Sequence, residues 1–185
     1  IASSDFLIIS IIALTNLILG CTVLIHKQSF RNVAFFLFTL ALSSWITVTY
    51  LADEPLGAEP QNTLLLIDFA AAILAAYFFY LFTALFIEKK VSLLKILSVG
   101  TITIIFVVLA TSTNLIISET QLVEHGISYK SGPADIFYTI FIITLLVLST
   151  KNLFRGLNNG DGRKRQQIQY ILFSVILPIT LIILV

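Results

Sequence analysis

One carboxylate in this sequence lies inside a long apolar stretch, where an ionisable group is costly. Asp68 comes six residues after Asn62, the first residue of an apolar run. It therefore lies roughly 9 Å below the end of that run at a rise of about 1.5 Å per residue. Charge at the centre of a membrane helix costs about 2.5–3.5 kcal/mol on insertion scales, and less near the ends. Either Asp68 lines a hydrated ligand site, or it is a structural contact that is protonated or accepts bonds from hydroxyl groups.

Aromatic and acidic residues at comparable depth extend this candidate ligand-binding or sensing site. Trp45 lies six residues before the end of the preceding apolar run, and Tyr50 lies nearer that end. Asp135 and Tyr138 are three residues apart at the start of another run, so they share one helical face. An ionised Asp68 beside Trp45 would favour a cationic or hydrogen-bond-donating ligand. Alternatively, Trp45 and Tyr50 are ordinary anchors at the membrane interface.

The sequence argues against several other chemistries. Neither His26 nor His125 has acidic or cysteine neighbours at metal-ligand spacing. No lysine lies mid-span to form a retinal Schiff base, and neither a phosphate-binding Gly-rich loop nor a nucleophile elbow is present. A membrane-embedded enzyme would need two convergent ionisable groups at one depth, whereas Asp68 stands alone. We therefore expect no catalytic residue, metal or cofactor in this chain.

Six apolar runs carry these residues, and each is close to the ~20 residues with which a helix crosses about 30 Å of hydrocarbon. A mean hydropathy of +1.01 and a charged fraction of 11% exclude a soluble domain, in which about 25% of residues are charged. The predicted fold is an all-α polytopic membrane bundle forming a single sensor-type domain over 1–185. The predicted spans are 6–25, 33–51, 62–87, 93–110, 134–150 and 168–185, with an outer loop over 111–133 and a cytoplasmic basic loop over 151–167.

The alternation of charge between the runs predicts their orientation. Ten of the 11 Lys and Arg residues lie after runs one, three and five or just inside run four, and only Lys130 lies in the other gaps. Because basic loops are retained in the cytoplasm during insertion, the N-terminus is predicted to lie outside. Six spans that begin outside also end outside, so we expect a seventh span after Val185 if there is a cytoplasmic output.

The outer loop over 111–133 is too apolar for a freely solvated segment. Alternation around Ile127 and Tyr129 favours a short strand or hairpin. We therefore expect this loop to fold back over the outer mouth of the bundle.

Two further features, one near mid-membrane and one in the cytoplasmic basic loop, each have a structural and a functional interpretation. Pro178 leaves the carbonyl of Ser174 without its helical partner, so helix six should kink or unwind there, as a hinge or merely for packing. Asn16 is the first-choice donor to that carbonyl. The basic trio Arg163, Lys164 and Arg165 either retains the loop inside and pairs with anionic lipid, or contacts a cytoplasmic partner.

Four short motifs resemble a known family. They are Asn16-x-x-Leu19-Gly20-x-x-Val23-Leu24, Phe38-x-Leu40 followed by Trp45, Tyr129-x-x-Gly132-Pro133 followed by Phe137, and Arg165-x-Gln167-Ile168-x-Tyr170-x-Leu172. They resemble the N-terminal seven-transmembrane-helix sensor region of bacterial histidine kinases, of which this chain would cover six helices. The family usually has Gly where this chain has Ser174.

The resemblance implies a receptor function. Such a module binds a small molecule or lipid, or senses the bilayer, and passes a change in helix packing to a cytoplasmic histidine kinase. It implies a homodimer in the bacterial inner membrane, linked to a kinase domain and a response regulator in a two-component system. The chain itself would not be an enzyme, and no contact with nucleic acid is expected.

A transporter or channel subunit of the inner membrane is the alternative function. It would require a polar path across the whole membrane, and runs four and six offer little beyond Thr101, Thr103 and Thr180.

The predicted topology can be tested by labelling a cysteine placed at Asn158 in the last basic loop. We expect a membrane-impermeant thiol reagent to react from the cytoplasmic side. Reaction only from the outside would overturn the orientation.

Overall fold

In a computed structural model the chain forms a helical bundle with a small outer hairpin. The structure describes residues 2–53, 58–87, 91–123, 126–159, 162 and 164–172. Its elements are α1 (Ala2–His26), α2 (Phe30–Asp53), α3 (Ala58–Ile87), α4 (Leu93–Ser112), β1 (Ile117–Val123), β2 (Gly126–Ser131) and α5 (Asp135–Asn159). Residues 164–172 form a further helical segment, α6. We name the two ends of the bundle outer and inner by the orientation that the charges predict.

The predicted polytopic helical bundle is confirmed. Within the described part of the chain, α1 to α5 are each long and apolar enough to cross a membrane. The helices α1 to α5 begin and end within a few residues of their predicted spans, except at the inner end of α5. Most of the predicted sixth span, 168–185, lies outside the described residues.

The predicted cytoplasmic loop over 151–167 is largely helical. Its first nine residues continue α5, and residues 164–167 open α6. The continuation has a packing reason, because Leu153 is fully buried. Gly156 brings the α5 backbone against Ile87 of α3 and Ile168 of α6. The basic side chains had suggested a loop, but they lie on the exposed side of a helix whose other side packs.

The α3 helix is the centre of the bundle. It packs against α2, α4 and α5, and α1 packs on the far side of α2. Small residues let the neighbouring backbones approach closely, as is usual in membranes. The buried small residues of α3 are Ala70, Ala71, Ala75, Ala76 and Ala84. Toward the inner end, Phe79 and Phe82 pack with the start of α6.

Buried polar contacts fasten α1 to α2. The Asn32 amide nitrogen donates to the carbonyls of Val23 and Lys27, at 3.0 and 2.8 Å. It thereby satisfies carbonyls left open at the end of α1. Deeper in the membrane, the Ser43 hydroxyl donates to the carbonyl of Ala13 at 3.1 Å. The two helices are therefore joined at two depths.

The hairpin expected in the outer loop is present. Strands β1 and β2 are antiparallel, and their register pairs Thr120 with Tyr129. At the base, Gly132 N–H donates to the carbonyl of Ile116 at 2.7 Å. Ile116 and Ile117 are buried in a cluster with residues of α3, α4 and α5. The hairpin base is thus held against the outer end of the bundle by apolar contacts.

Gly132→Ala should loosen the hairpin. A Cβ at this position would overlap the backbone carbonyl groups of Leu115 and Asn114, so the base of the hairpin must shift. We expect amide exchange of the β1–β2 ladder in detergent to accelerate about tenfold, or ~1.4 kcal/mol.

Gly162→Ala is the matched control, because among the described residues no atom outside its immediate chain neighbours lies within 4 Å of its added Cβ. Ladder amides that exchange equally fast in both variants would contradict the role assigned to Gly132.

Candidate functional site

The outer half of the α2–α3 interface contains the predicted carboxylate. Asp68 is half-buried, and the Thr49 hydroxyl of α2 donates a hydrogen bond to Asp68 Oδ1. The same hydroxyl lies 2.9 Å from the carbonyl oxygen of Trp45, one turn earlier. Because a hydroxyl has one proton, Thr49 serves one of these acceptors at a time. Thr49 therefore links the two predicted residues, Asp68 and Trp45.

Trp45 and Thr49 lie on an open side of α2. Trp45 is 38% exposed, and Thr49 is exposed as well. The indole ring is therefore available to lipid or to a ligand. Tyr50 points to the α1 side, where its ring centroid lies 6.0 Å from that of Phe6.

An aromatic cluster joins the hairpin to α3 and α5. The Phe69 ring of α3 meets the Tyr129 ring edge-on at 5.2 Å, and its centroid lies 5.4 Å from that of Tyr138. The Tyr138 hydroxyl donates to the Phe69 carbonyl at 2.6 Å. Edge-to-face and offset aromatic pairs at these distances are stabilising. Tyr138 is buried and its hydroxyl proton already bonds to Phe69. Its role in this structure is therefore to hold α5 against α3, and it does not face the open side of the site.

Tyr129 of the hairpin lies within electrostatic reach of both predicted carboxylates. Burial, followed by the negative charges of Asp135 and Asp68, raises the pKa of its hydroxyl. Both effects disfavour the phenolate. The neutral hydroxyl remains able to donate a hydrogen bond, and Tyr129 is 44% exposed. Our site prediction did not include Tyr129, although its alternation with Ile127 had placed it on a strand.

Four of the five predicted site residues thus fall into two groups beside α3, whereas Tyr50 lies toward α1. Asp68 and Trp45 lie at the α2 interface, and Asp135 and Tyr138 lie at the α5 interface. Tyr129 comes between the two groups. A sequence carries no signal for this arrangement, because it depends on which helix faces which.

A cavity that we did not predict lies at the outer end between α3, α4 and β1. Its volume is about 310 Å³, and none of the five predicted residues lines it. The lining is mostly polar and consists of Asn62, Leu66, Thr111, Ser112, Thr113, Asn114, Ile117, Ser118, Glu119 and Thr120. The feature of the sequence that could have indicated this cavity is the polar run over 111–114, which lies in the predicted outer loop.

The remaining predicted residues lie apart from this outer site. Asn16 is half-buried in α1. Pro178 and Ser174 lie outside the described residues, so the kink and its donor stay a prediction. Arg163 also lies outside them.

The other two residues of the basic trio differ in their surroundings. Arg165 is exposed, whereas Lys164 is half-buried and lies against the inner end of α3.

The comparison with protein families agrees with this architecture. A family model described as the N-terminal 7TM region of histidine kinase matches residues 8–185. The chain belongs to this family. The resemblance inferred from the motifs is thereby confirmed, and the chain is a multi-pass membrane module of the histidine kinase sensor type. No curated protein and no solved structure matches it.

The aromatic cluster of this 7TM region can be tested with Tyr138→Phe. The change keeps the ring and removes only the hydroxyl that donates to Phe69. A typical hydrogen bond contributes about 1 kcal/mol, so we expect the Tm in detergent to fall by about 2–4 °C. Tyr170→Phe is the matched control, since Tyr170 is 77% exposed. Equal Tm values for the two variants would show that the Tyr138 hydroxyl contributes nothing.

Proposed function

We propose that this 7TM region is the sensing module of a membrane histidine kinase and that the outer half of α3 is its input site. The observation that carries the proposal is the meeting of two contacts on one helix. The Thr49–Asp68 bond ties α3 to α2, and the Phe69–Tyr138 contact ties α3 to α5. A stimulus that changes either contact changes how α3 packs.

The inner end of the same helix offers a route to an output. Phe79 and Phe82 of α3 pack with Ile168 and Leu172 of α6. A shift or rotation of α3 would therefore change its packing against α6, the last helical segment that the structure describes. Small shifts of packed helices are a known way of passing signals, because packed interfaces have discrete arrangements.

The chemistry of the outer site favours a ligand that is cationic or donates hydrogen bonds. Asp68 offers a carboxylate, and the half-open Trp45 offers a ring face for a cation. If instead Asp68 faces lipid, protonation of the carboxylate would alter its bond with Thr49, and the module would respond to outer pH. Both versions place the input at Asp68.

The output follows from the family. We infer a homodimer in the bacterial inner membrane, with a cytoplasmic kinase domain that phosphorylates a response regulator. The chain supplies the sensor and no catalytic group.

Asp68→Asn in the full-length kinase tests the input site. The amide keeps the shape and removes the charge. We expect the initial autophosphorylation rate in proteoliposomes to change about fivefold or more, as is typical of allosteric coupling. The rate should be measured over a series of outer pH values, with folding checked by circular dichroism.

Glu119→Gln is the matched control, because Glu119 is an outer carboxylate in an exposed ion pair with Lys130. Normal rates for folded Asp68→Asn at every pH would make Asp68 merely structural.

Thr49→Val separates the hydrogen bond from the charge. Valine has nearly the shape of threonine but cannot donate to Asp68. If the bond holds one signalling state, the variant should change the autophosphorylation rate in the same direction as Asp68→Asn.

Thr144→Val controls for loss of a membrane hydroxyl, because Thr144 donates to Ile140 within its own helix. A change equally large in the control would refute a specific role for Thr49.

A further inference from the structure

Two cations from distant parts of the chain converge on one aromatic ring at the inner end of α3. The guanidinium carbon of Arg31, at the start of α2, lies 5.5 Å from the centroid of the Phe86 ring. The ammonium group of Lys164, at the start of α6, lies 5.9 Å from the same centroid. Charge retention in the cytoplasm requires only that basic residues lie near the surface. It does not require two of them to meet on one ring.

Neither cation is neutralised within the described part of the chain. The ion pair found there joins Lys130 and Glu119 on the outer hairpin. Lys164 makes one hydrogen bond, from its amine to the carbonyl of Ile87 at 3.4 Å. Since an ammonium group has three donors and a guanidinium group five, most of their donors remain available. The site is therefore complementary to an anion with several oxygens.

Exposed apolar side chains at the same end of the bundle indicate where that anion comes from. Phe30 adjoins Arg31 in the chain and is 87% exposed, and Ile25 at the end of α1 is 81% exposed. Such side chains at the inner membrane boundary are suited to acyl chains and not to water. Anionic lipids also give the cytoplasmic leaflet its negative surface potential. A phospholipid can contact both the cations, through its phosphate, and the apolar side chains, through its acyl chains. Free phosphate can contact only the cations.

We propose that Arg31 and Lys164 bind the phosphate of one anionic phospholipid of the inner leaflet beside the Phe86 ring. Lys164 lies one helical turn before Ile168, which is fully buried against the inner ends of α3 and α5. The bound headgroup therefore joins the starts of α2 and α6 across the end of α3. An effect of this lipid on signalling rests on the proposed sensor function, but its binding does not.

The test is native mass spectrometry of the purified protein, which counts retained lipids without using kinase output. We expect the wild type to retain one phosphatidylglycerol more tightly than phosphatidylcholine. The double variant Arg31→Gln with Lys164→Gln should bind that lipid at least fivefold more weakly.

The charge-matched control is Lys151→Gln with Arg165→Gln, which removes two exposed cations of the same inner surface. It should bind the first phosphatidylglycerol more tightly than the Arg31 and Lys164 double variant does. Equal weakening in the two double variants would show only general surface attraction and would overturn the site.

Two measurements on the wild type keep the proposal falsifiable if the double variant fails to fold. No preference for phosphatidylglycerol over phosphatidylcholine would overturn it. Displacement of phosphatidylglycerol by inorganic phosphate at equal concentration would show that a soluble anion is the ligand and would also overturn it. The two proposals can fail separately. If the wild type binds the lipid as expected but Asp68→Asn leaves signalling unchanged, the lipid site is supported and the input site at Asp68 is refuted.

Discussion

Helices in hydrocarbon gain nothing by exchanging lipid for one another's apolar side chains, so close backbone approach and a few hydrogen bonds decide how they pack. The α3 helix meets this constraint with buried alanines along its length and with buried aromatic rings in its inner half. Half of the residues in its most apolar stretch are buried, against 11% for α1 and for α4. The other helices are placed mainly by how they contact α3, directly or through α2.

Polar contacts between membrane helices are individually modest in strength. Interhelical hydrogen bonds in membrane proteins contribute about 0.6 kcal/mol on average. Ser43 joins α2 to α1, Thr49 joins α2 to α3, and Tyr138 joins α5 to α3. Contacts of this strength specify which faces meet without locking the helices. A bundle held in this way can have two arrangements separated by a small free energy, which a sensor requires.

Sequence patterns predicted what depends on one helix at a time. Run length and charge alternation located the helices, and counting from a helix end placed Asp68 and Trp45 at one depth. The pairing of Asp68 with Thr49 depends on the rotation of two helices about their axes, which apolar runs do not encode when most faces meet lipid. The continuation of α5 was missed for a related reason. Its basic residues are typical of a loop, and only the packing of Leu153 and Gly156 against α3 and α6 shows why the helix continues.

The outer contact of α3 at Asp68 and its inner contact at Phe86 lie far apart along the helix. Asp68 and Phe86 are eighteen residues apart, or about 27 Å along a helix. Between them α3 presents mainly small and aromatic apolar residues. Beyond the bond from Tyr138 to the Phe69 carbonyl, its interhelical hydrogen bonds include two long ones, from Tyr77 to Ile96 at 3.5 Å and from Asn152 to Thr83 at 3.4 Å. Coupling over such a distance needs a rigid element with two discrete positions. A continuous helix whose middle is held mainly by apolar contacts is rigid along its axis and can shift or rotate as a unit. The outer contacts would then determine the position of α3. A change in that position would alter how the inner end of α3 packs against α5 and α6.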